Sequence, residues 1–168
     1  GIVGTASLIF DDLEGDPRQP AVRISWEQAV NFCRWLSQKT GLEFTLPTEA
    51  QWEKAARGTD GRTYPWGDGI DQTFANYNSY LGDTTMIGSY EEGDSFYGVY
   101  DMSGNVWEWV ADWYSETYYQ DSPSFNPSGP DSGNHRILRG GSWSNADYFV
   151  RSSFRTHVLP GYAYYYAG

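Results

Sequence analysis

The residues best equipped for chemistry sit in one run, Asp101-Met102-Ser103-Gly104-Asn105-Val106-Trp107-Glu108-Trp109-Val110-Ala111-Asp112-Trp113. It couples heavy apolar burial to oxygen ligands: tryptophans at 107, 109 and 113 lie among two aspartates, a glutamate and an asparagine beside a glycine. Side chains alternate across a strand, so Val106 to Val110 read as a strand with Trp107 and Trp109 on one face and Val106, Glu108 and Val110 on the other. Glu108, flanked by valines on its own face, is then partly buried. Burying a carboxylate is costly unless it is paired or binds a metal. Ser103-Gly104-Asn105 supplies turn chemistry and an amide oxygen of the kind a hard cation uses, which makes Ca²⁺ the natural candidate. The competing reading has Glu108 accepting backbone hydrogen bonds or pairing with an arginine.

Other reactive types are sparse. His135 and His157 are the only histidines, and neither stands in a Glu-x-x-His or Ser/Asp arrangement that metal or nucleophilic catalysis would need. The single cysteine, Cys33, excludes an internal disulfide framework and any Cys-based zinc site, and it favours the cytosol. It falls on an apolar helical stripe and reads as a small inert core residue.

The elements that must position these groups follow from length and punctuation. A chain of 168 residues suits one domain, residues 1–168, with a core large enough to need no staples. Aromatics at 18% and 19 glycines point to a loop-rich, aromatic-cored molecule. A net charge of −11 disfavours nucleic acid and anionic membranes as partners. No segment has the length or apolarity of a membrane span, and Gly1-Ile2-Val3-Gly4 lacks the charged region of a signal peptide. Residues 1–20, with Asp11, Asp12, Glu14 and Asp16, read as a solvated lead-in loop. Ser25-Trp26-Glu27-Gln28 is a capping box opening a helix that Gly41 closes; Thr48-Glu49-Ala50-Gln51 opens a second one ending at Gly58. Residues 59–100 are broken by Gly and Asp and should be ordered by aromatic anchors, with a second ion near Asn76. Arg136 to Trp143 reads as a strand breaking at Gly140-Gly141.

Taken in order, Leu46-Pro47-Thr48-Glu49-Ala50-Gln51-Trp52-Glu53, Tyr64-Pro65-Trp66-Gly67-Asp68, Ala75-Asn76, Gly98-Val99-Tyr100-Asp101-Met102-Ser103-Gly104-Asn105-Val106-Trp107-Glu108-Trp109 and Arg139-Gly140-Gly141-Ser142-Trp143 strongly resemble the formylglycine-generating enzyme (sulfatase-modifying factor) family from about residue 22 onward. The resemblance implies an α+β variant of the C-type lectin fold, with two short helices, small antiparallel sheets and much irregular loop. It also implies structural calcium at Asn105, Val106 and Glu108, with Asn76 matching a second site. Family oxidases bind copper through a cysteine pair just after the Gly-Gly-Ser-aromatic motif. Here that stretch, Ser144 to Arg151, contains no cysteine, so no copper and no oxidase chemistry are expected. The related sulfoxide synthases use three histidines and an additional helical domain that have no counterpart in these 168 residues, so their chemistry is not expected either. The family usually continues past the position of Gly168 with a further strand, so a closing strand is expected to be absent from the sheet.

The segment 144–168 carries a different signal. It contains no Lys, Glu, Gln, Met or Trp, the five types that a codon of form NNC cannot specify. An AAC codon with its adenines randomised yields Tyr, Ser, Asp, His, Phe, Val, Leu, Gly, Ala and Thr, which dominate the segment. In this it resembles the variable region of a diversity-generating retroelement protein, a type that often uses this version of the fold. The expectation is a noncatalytic module binding a protein or other ligand through Ser144, Asn145, Asp147, Tyr148, Phe149, Phe154, His157, Val158, Leu159, Tyr162, Tyr164, Tyr165 and Tyr166, rich in tyrosine as antibody paratopes are. Three consecutive tyrosines in an extended segment cannot all face inward.

Overall fold

Two helices open by the same device. The Ser25 hydroxyl accepts from the Gln28 N–H at 3.3 Å while Gln28 Oε1 accepts from the Ser25 N–H at 2.8 Å. Thr48 and Gln51 repeat the exchange at 3.2 and 2.9 Å. These capping boxes satisfy N–H groups that a helix start leaves unpaired, each worth about 1 kcal/mol. The helices are α1 (Trp26–Thr40), ending at the left-handed Gly41, and α2 (Glu49–Arg57), ending at Gly58. The computed structural model describes residue 16 and residues 18–164 and 166–168. Asp11, Asp12, Glu14 and Tyr165 therefore lie outside the described residues, whereas Asp16 pairs with Arg18.

Three short strands, β1 (Glu108–Trp113), β2 (Arg136–Arg139) and β3 (Arg155–Val158), form an antiparallel sheet in the order β1-β2-β3. Glu108 faces Arg139, Trp109 faces Leu138, and Ile137 faces His157. The first strand begins later than the alternation suggests. Trp107 instead pairs in parallel with Ala167; its N–H donates to the Tyr166 carbonyl at 2.7 Å, and its own carbonyl accepts from Gly168 at 3.0 Å. The returning C-terminal segment has taken the ladder positions that a longer β1 would use.

The expected alternation of faces holds. Trp107 and Trp109 pack with Leu138 and Ala167, while Val110 joins Trp52, Ala56, Met102 and Ile137 in a separate cluster. A third cluster, Tyr64, Ala75, Tyr77 and Val150, anchors the loop-rich middle of the chain, whose only helical turn among the described residues is Glu91–Gly93. Arg136 lies between the rings of Trp26 and Trp113, 3.6 and 3.4 Å from their centroids, and ties α1 to the sheet. Cys33 is half-buried on α1, and burial pushes its thiol pKa up, away from reactivity.

Candidate functional site

The loop from Asp101 to Asn105 is where separate parts of the chain meet. Asp101 and Asn105 both adopt left-handed backbone conformations, with φ of 57° and 62°. Gly104, at φ 80°, has no room for a Cβ, which would run into the Asn76 carbonyl. This close approach lets the Asn105 N–H donate to the Asn76 carbonyl at 2.9 Å and the Gly104 N–H to the Gly140 carbonyl at 2.8 Å. The Asn105 side chain grips Thr85: Oδ1 accepts from the Thr85 N–H at 3.0 Å and Nδ2 donates to its carbonyl at 3.2 Å. Asn76 Nδ2 donates to the Asp83 carbonyl at 2.8 Å, leaving a buried Oδ1 without a partner among the described residues. The two asparagines named as cation ligands thus also clamp the 83–85 loop.

Glu108 finds its hydrogen-bond partner on α2. Its carboxylate accepts from the Trp52 indole N–H at 2.5 Å, in place of backbone donors or an arginine. Val106, Asn105, Asp101 and Tyr100 line the same cavity of about 310 Å³. Burial raises the Glu108 pKa to about 7, against the opposing indole hydrogen bond and with help from the Asp101 charge. Asp101 is raised too by burial, although the Gly88 N–H donates to it at 2.7 Å. The two carboxylates share this wall of the cavity. Among the described residues no group of three or more His, Cys, Asp or Glu side chains is placed to hold a metal, so a cation here would draw its remaining oxygens from amides and carbonyls.

A buried ionic network escaped the sequence altogether. Glu49, on the first turn of α2, receives Arg139 Nη1 at 3.1 Å and both Arg155 Nε and Nη2 at 2.9 and 2.6 Å. Arg139 is 1% exposed and also reaches Glu53 at 2.6 Å. The Tyr119 hydroxyl donates to Glu49 at 3.1 Å, and burial followed by the Glu49 charge raises the tyrosine pKa well above its usual value. Asp112 accepts from the Glu49 N–H at 2.7 Å. The members come from α2, β1, β2, β3 and the 3-10 turn Tyr118–Gln120, and no local pattern marks residues so far apart in sequence as partners.

The C-terminal segment divides between bracing and display. Asn145 Oδ1 accepts from the Ser142 N–H and hydroxyl at 3.0 and 2.7 Å, and Ser144 lies 3.1 Å from the same hydroxyl, so these two brace the glycine turn. Asp147, Tyr148 and Phe149 stand exposed on a single 3-10 turn, Asp147–Val150. Phe154 is half-buried, its ring 5.3 Å from Tyr148, 5.1 Å from Phe149 and 6.0 Å from Trp107. His157 is exposed and stacks on Tyr114 at 3.7 Å, with His135 edge-on at 4.9 Å; partial burial, then His135 and Arg155, lower its pKa. Leu159 and Tyr162 project outward, 57% and 56% exposed. Val158, Tyr164 and Tyr166 are partly buried and pack against the Trp107/Trp109 cluster.

No helix among the described residues is long and apolar enough to cross a membrane. The description of the sulfatase-modifying factor enzyme 1-like domain matches residues 10–168. The formylglycine-generating enzyme of Streptomyces coelicolor is 39% identical over 145 residues, 79% of this chain and 44% of that protein. Serine/threonine-protein kinase Pkn1 of Chlamydia trachomatis is 39% identical over 150 residues, 88% of this chain and 23% of the kinase. The chain thus spans less than half the length of these relatives. Treponema denticola variable protein 1 superposes with a TM-score of 0.79 at 27% identity, covering 94% of this chain and 74% of that one. With two capped helices, a three-stranded antiparallel sheet and long anchored loops, the chain has the α+β C-type lectin-like fold and belongs to the sulfatase-modifying factor enzyme 1-like family.

Proposed function

We propose that this domain is a noncatalytic ligand-binding protein, in which a constant scaffold displays a diversified C-terminal surface. The observation that carries the reading is a coincidence within one segment. Residues 144–168 lack the five amino acids that NNC codons cannot encode, and Tyr148, Phe149, His157, Leu159 and Tyr162 are exposed there. Likeness to a treponemal variable protein supports it. Tyrosine and phenylalanine give large contact area with few torsions to freeze, which suits a surface selected against changing ligands. The flanking genomic DNA tests the idea. It should contain a near-copy of the 3′ coding end that differs at adenines, beside a reverse transcriptase gene; lack of both refutes retroelement diversification.

Calcium belongs to the scaffold in this reading, held by Glu108, Asn105 and Val106, with Asn76 at a second position. Support comes from the Glu108 carboxylate, which has no cationic partner among the described residues, and from the Asn76 Oδ1, orphaned among the same residues. Bound calcium would neutralise the Glu108 charge and tie the 101–105 loop to β1.

The alternative is a formylglycine-generating oxidase, favoured by the identity to enzymes of that name. The copper-binding cysteine pair has no counterpart in residues 144–151, and Cys33 lies on α1. Incubation with copper and a sulfatase-motif peptide distinguishes the two: no formylglycine is expected, and its formation would establish the enzyme.

A further inference from the structure

The C-terminal segment holds a cavity of about 320 Å³ lined by Tyr148, Arg151, Ser153, Phe154 and Arg155. Its two arginines differ in what they have left to offer. Arg155 is engaged by Glu49 through two nitrogens and by the Ser115 carbonyl through a third. The Arg151 side chain makes no ion pair or hydrogen bond among the described residues, and its guanidinium lies 4.9 Å from the centroid of the Tyr148 ring. Acidic residues outnumber basic ones by 22 to 11, so an arginine without a carboxylate is an unused resource. Asp147, the nearest acidic residue in sequence, accepts from the backbone N–H of Tyr148 at 2.8 Å.

We propose that this cavity binds a carboxylate carried on a planar apolar body, the carboxylate forking onto Arg151 beside the Ser153 hydroxyl and the body resting against Tyr148 and Phe154. A guanidinium presents paired N–H donors that match a carboxylate, and stacking on an aromatic face orients it in advance. The walls suit a flat group, because Tyr148 and Phe154 meet edge to face at 5.3 Å and 73°. A single cation without a carboxylate partner in this cavity, within a strongly acidic protein, selects a single negative charge over a polyanion.

The inference rests on the binding-surface reading and names the ligand chemistry of this particular version of the surface. Benzoate and benzamide, which differ in charge but little in shape, are titrated while the Arg151 Nε–H and Tyr148 ring resonances are followed. A second pair, blocked aromatic–aspartate–aromatic and aromatic–asparagine–aromatic tripeptides, separates a free acid from an acidic side chain of a protein partner. Benzoate or the aspartate peptide should shift both resonances with at least about tenfold greater affinity than its neutral twin. Arg151→Gln should remove that preference, and Arg151→Lys should restore part of it. Equal binding of charged and neutral probes, no binding of any probe, or a preference that survives Arg151→Gln overturns the proposal. The genomic template decides the parent reading separately, so a diversified surface without carboxylate selection is recognisable as such.

Discussion

At the scale of single residues, Glu108 gives the sharpest handle on the proposed calcium. Its folded pKa of about 7 lies above the ordinary 4.5, so between those values the folded state holds more protons than the unfolded state. Cation-free protein should therefore lose stability as pH rises from about 4.5 to about 7, by up to about 3 kcal/mol. Urea denaturation in chelator across this range checks the sign, and Glu108→Gln should flatten the slope while keeping an acceptor for the Trp52 indole. Calcium favours the ionised carboxylate. It should raise the melting temperature with the logarithm of its free concentration, most strongly near neutral pH. A melting curve indifferent to calcium leaves Glu108 as an indole-bonded buried acid.

At the scale of elements, the caps and the alternation around Trp107 and Trp109 were legible because each is written in consecutive residues. Network partners such as Glu49, Arg139 and Arg155 were not, since their pairing is a product of α2, β2 and β3 meeting. Arg139→Met leaves a buried Glu49 short of one partner and should cost on the order of 3–5 kcal/mol in urea denaturation. Arg155 falls within the proposed diversified segment yet is bidentate to Glu49, so its codon in the genomic template should carry no adenine. Exposure varies along the last strand and turn, from half-buried Phe154 and Tyr166 to exposed Leu159 and Tyr162. An aromatic-rich segment without strict alternation does not reveal which rings return to the core. Phe154→Ser and Tyr166→Ser should each destabilise by more than about 1 kcal/mol, whereas Tyr148→Ser, Leu159→Ser and Tyr162→Ser should each cost less than that.

At the scale of the whole molecule, the central claim is that scaffold and surface are separable. Trp107, Trp109 and Leu138 hold the centre of the sheet, and the Ala167 end of the chain returns to them. Displayed positions can then vary while both ends of their segment stay anchored, at Ser142 by Asn145 and at Trp107 by Ala167. The family motifs made this scaffold readable from sequence. The partition of the final segment is set by tertiary packing, because bracing and display alternate there without a period. The most direct test is a surface-display library in which Tyr148, Phe149, His157, Leu159 and Tyr162 are each replaced by the NNC-encoded set, sorted first for protease resistance and then for binding to several unrelated targets. The account predicts that most members stay protease-resistant and that different targets recover different sequences. Resistance confined to members retaining the original residues, as expected for randomised Trp107 or Trp109, would contradict it.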